Sequence, residues 1–506
     1  MNRIVIAIRM LIALVILTLG SDTFLPAQTR AGQGAERKPL SESWDICLLQ
    51  GQRIGYSHTT MWREKEAGGE TVRTEGATRL SFHRNGEATA IATTVTSRET
   101  LEGKLIEFES DTRVGPTPIR VLGRVDGDHL NIETFGPGAA TPKKTAMKWS
   151  GDFRGPFGVE QGLLREPMRP GQRRTVKIVM PTLDNVEIVQ VELTAKQFEQ
   201  TALRGGPHEL LRIENVTRMS GGQKLESTVW CDRTGDALKS LVGPTETYRA
   251  TKAEALEKPD AAPVDLLSSM FVKPDRPLPG AHQMKRTRYR VRLDAGDPAA
   301  VFVSGASQAV KSIDPHTAEI TVYAIRPGQG DGNPDAPADS PKDEDRQPNN
   351  FIQSDDRLIV ADAQKAAGNE KDPWRVAVAL ERFVHREVTK KDFSQAFASA
   401  AEVAKSREGD CTEHAVFLAA LLRARGIPAR IAVGLVYIEG VGAFGYHMWT
   451  EAYIDRRWIP LDGTLSAGGV GAGHLKIAQS SLKGASAISA FLPVIQIIGR
   501  LKIEVP

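Results

Sequence analysis

The feature that most restricts the fold is a long run of short alternating segments. From Ser43 to about Lys252, apolar and polar residues exchange places at period two between turn residues, the pattern of antiparallel strands with one buried face. Val186 to Leu193 nearly alternates, and Leu225 to Cys231 does so too, folding back on Leu211 to Thr217 through a Ser220-Gly221-Gly222 turn. No helical pattern interrupts the stretch for long and no catalytic cluster lies in it, so residues 43–255 are expected to form an antiparallel β domain.

At 506 residues the chain exceeds what one core holds, and about three domains are expected. Lys258 to Pro279 reads as a connection. Thr287 to Leu293 then alternates Arg with apolar residues, so one face of that strand must be solvated. With Ala318 to Tyr323 it predicts a small β unit over 280–326, or an extension of the first domain. Residues 327–350 are rich in Pro, Gly and Asp without an apolar period, which predicts a disordered acidic linker. Asp331 to Asp335 resembles the start of a calcium loop, but Ala336 and Lys342 stand where Gly and Glu are required.

Helical signals begin after that linker. Asp372 followed by Pro373 is a helix start, with Val376, Leu380, Phe383 and Val384 on one face, and a second helix is expected near Ser394. The fold class is therefore multidomain, an N-terminal antiparallel all-β region followed by a C-terminal α+β domain over 351–506. The apolar run from Ile488 to Ile498 contains Pro493 and is expected to complete that domain rather than span a membrane.

Residues 1–27 carry Arg3 and Arg9 before a short apolar run from Met10 to Gly20, the pattern of a signal peptide or an N-terminal anchor. Either places the remaining chain outside the cytosol, as a secreted, periplasmic or envelope-associated protein. Lys+Arg 65 against Asp+Glu 62 gives a net charge of +3 with no basic stripe, which argues against nucleic-acid binding. Three cysteines are too few for a disulfide scaffold. Cys47 and Cys231 are read either as a pair or as two buried thiols, leaving Cys411 single.

Gly409-Asp410-Cys411-Thr412-Glu413-His414 opens a segment that is apolar as far as Leu422 and closes at Gly426 and Pro428. Asp410 and Glu413 have capping-box spacing, and Gly426 fits the left-handed position after the helix. Cys411 then lies in the first turn, where free N–H groups and the helix dipole favour thiolate. Downstream, a hairpin of Tyr446 to Ile454 and Trp458 to Asp462 around Asp455-Arg456-Arg457 puts Asp462 near Trp449, within reach of His447. A carboxylate on one imidazole nitrogen fixes the tautomer and leaves the other nitrogen for a thiol. Zinc on Cys411, Glu413, His414 and His447 lacks a second Cys/His pair, so Glu413 reads as a cap and His414 as a hydrogen-bonded structural group. Arg423, Arg425 and Arg430 read as complements to a helix C-terminus.

These segments, Gly409-Asp410-Cys411, Arg423 to Arg430, His447-Met448-Trp449-Thr450-Glu451 and Trp458 to Thr464, resemble the core of the transglutaminase-like superfamily, of papain-like architecture. The resemblance implies a Cys–His–Asp triad with Cys411 as nucleophile, His447 as base and Asp462 as orienting carboxylate. It implies acyl transfer on amide bonds, as a protease or amidase or a protein-glutamine crosslinker, with a protein or peptide substrate and no cofactor or metal. The Cys411 N–H is an expected oxyanion donor, with Gln395 or Ser394 as the second. The competing reading is a non-catalytic envelope scaffold that keeps the fold.

Overall fold

The computed structural model describes residues 38–506 except 67–68, 85–86, 115–116, 138, 184, 220–221, 223, 258–270, 295, 327–328, 391–396 and 484–490. Residues 1–27, expected to be a signal peptide or N-terminal anchor, Ser220 and Gly221 of one hairpin turn, Ser394 and Gln395 therefore lie outside the described residues. The chain forms two compact units, Met1–Val264 and Asp265–Pro506.

In the first unit the alternating segments build a 15-stranded sheet. Seven successive hairpin connections carry the chain outward from Ser41–Leu49 to the edge strand Lys143–Lys148. The chain then crosses to the opposite edge and returns inward from Arg173–Pro181, until Thr245–Ala250 pairs with Ser41–Leu49. The hairpin expected around residues 218–224 forms, with Leu211 opposite Cys231 and Thr217 opposite Leu225. The crossing contains helix Gly158–Arg165, whose Gln161 donates to Thr74 Oγ1 at 3.0 Å while Phe157 packs on Val95. Cys47 and Cys231 are both buried and free, and burial drives both thiols well above their ordinary range.

The second unit holds two four-stranded sheets. One runs in the order Gln308–Asp314, Thr317–Tyr323, Arg286–Leu293, Leu501–Glu504. Its Arg286, Arg288, Arg290 and Arg292 are exposed while Tyr289, Val291 and Leu293 are buried, as the alternation requires. The small β unit is thus neither separate nor an extension of the first sheet. Its central strand pairs with the last strand of the chain, Val291 opposite Ile503.

The other sheet runs Arg457–Leu461, Ala443–Ile454, Ala429–Ile438, His474–Ser480, antiparallel throughout. Against it lies helix Cys411–Ala424, surrounded by helices Arg357–Ala367, Pro373–Glu387 and Ala400–Ser406. Val416, Phe417, Leu418, Leu421 and Leu422 are wholly buried, so truncating one such leucine costs about 2–5 kcal/mol. Helix Arg357–Ala367, not anticipated from the sequence, starts at Asp356, which accepts from Leu358 N at 2.8 Å. Asp372 caps Pro373–Glu387 as expected, accepting from Arg375 N at 2.8 Å.

Residues 332–350 depart from the disordered linker their composition predicts. The segment is irregular but tied down: Asn333 Nδ2 donates to Gly305 O at 3.1 Å, Asp339 pairs with Arg430 at 2.7 Å, and Gln347 O accepts from Arg423 at 2.7 Å. It adds no apolar period because its work is polar, supplying acceptors to cations buried beside it. Of the three arginines, Arg425 acts as expected, donating to Gly368 O at the C-terminal end of helix Arg357–Ala367, and Arg423 lies in the last turn of its own helix and donates to Ala429 O; Arg430 departs from the expectation, since it belongs to a strand and pairs with Glu451.

Candidate active site

Residues 409–414 set the geometry of the cysteine. Asp410 accepts from Thr412 N at 2.8 Å, and Glu413 Oε2 accepts from Asp410 N at 2.9 Å, so the capping box closes. Glu413 Oε1 also accepts from Ala398 N at 3.0 Å, fastening the preceding segment. Burial, reinforced by the Asp410 charge, holds the Glu413 carboxyl well above its usual range. Gly409 is at φ +148°, and a Cβ there would lie 2.2 Å from Glu413 Cβ, so no larger residue fits beneath the cap. Cys411 follows half-buried at the first position of the helix.

The hairpin delivers the other two residues. Thr450 stands opposite Leu461, which carries Asp462 to the level of Trp449. His447 Nε2 and Asp462 Oδ2 are 2.8 Å apart, both buried. Thr450 Oγ1 donates to Ala415 O at 2.9 Å, bolting the His447 strand to the first turns of the cysteine helix. That contact brings the two halves of the site together. Burial pulls the His447 pKa down, but the charges and hydrogen bonds of Asp462 and Cys411 outweigh it and push it up to about 10. Burial likewise opposes ionisation of Asp462, yet His447 and His474 hold its carboxyl well below the ordinary range.

Two residues that sequence reasoning passed over complete the surroundings. His474 Nε2 lies 2.9 Å from the same Asp462 Oδ2. Glu381, buried on helix Pro373–Glu387, accepts from Asp462 N at 2.9 Å and from Gly468 N at 2.7 Å. It fixes the backbone that bears the carboxylate, and burial pushes its own pKa up to about 7. Glu381 shares a helix with the apolar positions that were read, and a lone carboxylate among them was the available signal. His474 had none, because its strand pairs with Ala429–Ile438 across a register shift at Val433/Gly434.

His414 points Nδ1 at Asp410 O, 2.5 Å away, and burial lowers its pKa, which suits a neutral structural histidine. Among the described residues the group able to approach a metal is His447, Asp462 and His474 rather than the cysteine-centred set considered above. The contacts of 2.8 and 2.9 Å to one carboxylate oxygen are N–H···O lengths. Close by, Glu451 accepts from Arg430 Nε and Lys476 Nζ, each at 2.7 Å, in a buried ion cluster that joins three strands of this sheet.

Residues 361–463 match the profile of the transglutaminase-like superfamily. The match covers the cysteine helix and both strands of the hairpin, and it supports a papain-like fold for this region. Solved structures similar to the chain include a candidate cysteine protease from Cytophaga hutchinsonii, at 18% identity, covering 46% of this chain and 82% of that one with a TM-score of 0.29. A β-barrel-like protein of a domain of unknown function from Brucella abortus aligns at 10% identity over 41% of this chain and 93% of its own, TM-score 0.30. A candidate protease from Parabacteroides distasonis aligns at 10% identity over 70% of this chain and 64% of its own, TM-score 0.18. Curated proteins give no significant sequence match.

Proposed function

We propose that the transglutaminase-like region is a thiol-dependent acyl-transfer enzyme acting on amide bonds through Cys411, His447 and Asp462. The observation that supports this most is the single imidazole with Asp462 on Nε2 at 2.8 Å and a hydrogen bond to Cys411, carried by a helix N-terminus. In this reading the Cys411 thiolate attacks the amide carbonyl, and the imidazolium of His447 gives its proton to the leaving amine as the C–N bond breaks. The resulting thioester is resolved by water, giving a protease or amidase, or by a primary amine, giving a crosslinker. His447 takes the proton of the incoming nucleophile in either case. The Cys411 N–H is proposed as an oxyanion donor. The protein is proposed to work outside the cytosol on protein or peptide substrates, a reading supported by the charged and apolar pattern of residues 1–27.

The test is labelling of the purified chain at neutral pH with a thiol-directed epoxide. Cys411 is expected to react far faster than an ordinary exposed thiol, and His447→Ala to abolish the advantage. Equal labelling of the two proteins would refute the reading. Peptide libraries incubated with and without a primary amine then separate hydrolysis from crosslinking.

A further inference from the structure

Asp462 serves two imidazoles through one oxygen. An ionised carboxylate can only accept, so His447 and His474 each present an Nε2–H to Oδ2, at 2.8 and 2.9 Å. Asp462 Oδ1 is separately occupied by Thr464 N at 2.8 Å, so both oxygens and the plane of the carboxylate are fixed.

His474 is held for this task. It is 4% exposed, and its ring sits 5.1 Å from that of Trp449 in an edge-on contact, while Trp449 stacks on His447 at 6.2 Å. Gly434 lets the His474 strand approach, since a Cβ there would lie 2.0 Å from Leu475 O and 3.0 Å from Trp449 Cη2. Burial lowers the His474 pKa to about 4, so at neutral pH the ring carries one proton. Asp462 requires that proton on Nε2. The bare Nδ1 has no partner among the described residues, and the ring lines a cavity of about 260 Å³ shared with His282, Arg326, Leu465 and Val470. That volume admits water, which can donate to Nδ1 and favour the same tautomer.

We infer that His474 is a positioning residue: its Nε2–H locks the Asp462 carboxylate in the orientation that aligns His447 toward Cys411. The inference rests on the thiol reading proposed above. Without the donor, one lone pair of a buried carboxylate is unsatisfied and Oδ2 is held by His447 alone, while Thr464 N still holds Oδ1, so the alignment of His447 loosens. A residue serving only to fill the core would be replaceable by an apolar side chain of similar size.

The experiment follows alkylation of Cys411 by iodoacetamide from pH 5 to 9 in the full chain, comparing wild type, His447→Ala, His474→Leu and His474→Gln. His447→Ala tests the thiol reading alone: if it reacts like wild type, that reading fails whatever His474 does. With that control in place, His474→Leu is expected to slow alkylation at pH 6 by about tenfold or more and to move the curve to higher pH, the scale of one lost charge-assisted hydrogen bond. His474→Gln places an amide N–H near the imidazole Nε2 and is expected to stay within about threefold of wild type. A leucine variant that matches wild type, or a glutamine variant that falls as far as leucine, overturns the inference. Should His474→Leu not fold, ¹⁵N-histidine spectra of the wild type decide: a neutral ring with its proton on Nε2 supports the assignment, and a proton on Nδ1 refutes it.

Discussion

Replacing Glu451 by Gln removes the central anion of a buried cluster without changing its shape. Glu451 is 2% exposed and accepts from Arg430 and Lys476, which are 6% and 3% exposed. Burial alone would raise its pKa, but Lys476 and Arg430 override it and hold the group at about 2 instead of 4.5. At 1.36 kcal/mol per tenfold change, this favours the folded state by about 3 kcal/mol at neutral pH. The figure agrees with the ~3–5 kcal/mol expected when one member of a buried ion pair is deleted. Because the folded pKa is depressed, the contribution is present above pH 4.5 and is lost as pH falls toward 2. Urea titrations of the full chain, read by hydrogen exchange of the 443–454 amides, should therefore show a deficit of about 3 kcal/mol in Glu451→Gln at pH 6. That deficit should shrink by about 1 kcal/mol at pH 3.5. A deficit that stays constant or grows in acid would show that charge pairing is not what the cluster contributes.

Other outcomes follow from the same geometry. Asp462→Asn removes the charge that raises the His447 pKa, so the imidazolium should titrate well below 10 and the pH profile of Cys411 alkylation should change with it. Because the folded His447 pKa lies above its ordinary 6.5, its stabilising contribution is full below 6.5 and lost as pH rises through about 10; thermal melts should show this alkaline loss in wild type and not in His447→Gln. Gly409→Ala forces a side chain onto Glu413 at a left-handed φ and should cost about 1–3 kcal/mol in a urea melt, with slower alkylation of Cys411. A chromogenic disulfide reagent should titrate one thiol in the native chain and all three only after denaturation, since Cys47 and Cys231 are buried.

What the sequence disclosed about this site is what short-range physics controls. The capping box depends on residues three apart, and the His447–Asp462 pairing depends on a hairpin whose turn is only two residues long, so both could be read before any tertiary contact was known. His474 and the Arg430–Glu451–Lys476 cluster depend on which strand lies beside Ala429–Ile438 and on a register shift within that pairing. Neither is encoded locally. Residues 332–350 mislead for a related reason: composition reports whether a segment can build its own core, not whether a neighbouring core needs its acceptors. In the first unit, alternation announced the strands, but the pairing of Ser41–Leu49 with Thr245–Ala250 joins positions about as far apart as the unit allows.

That last pairing has a consequence for how the chain is made. During synthesis Ser41–Leu49 finds Gln52–Glu66 at once on one side, while its other side must wait for Thr245–Ala250. Until then, each emerging hairpin enlarges a ribbon whose oldest strand is an open edge, able to recruit a strand of another molecule. The sheet is sealed last at its middle and not at its rim, by contacts of high sequence separation that form slowly. A circular permutant that joins residue 41 directly to residue 250 and opens the chain elsewhere would make the closing pair a local hairpin, and it should refold faster with less aggregation than the natural order.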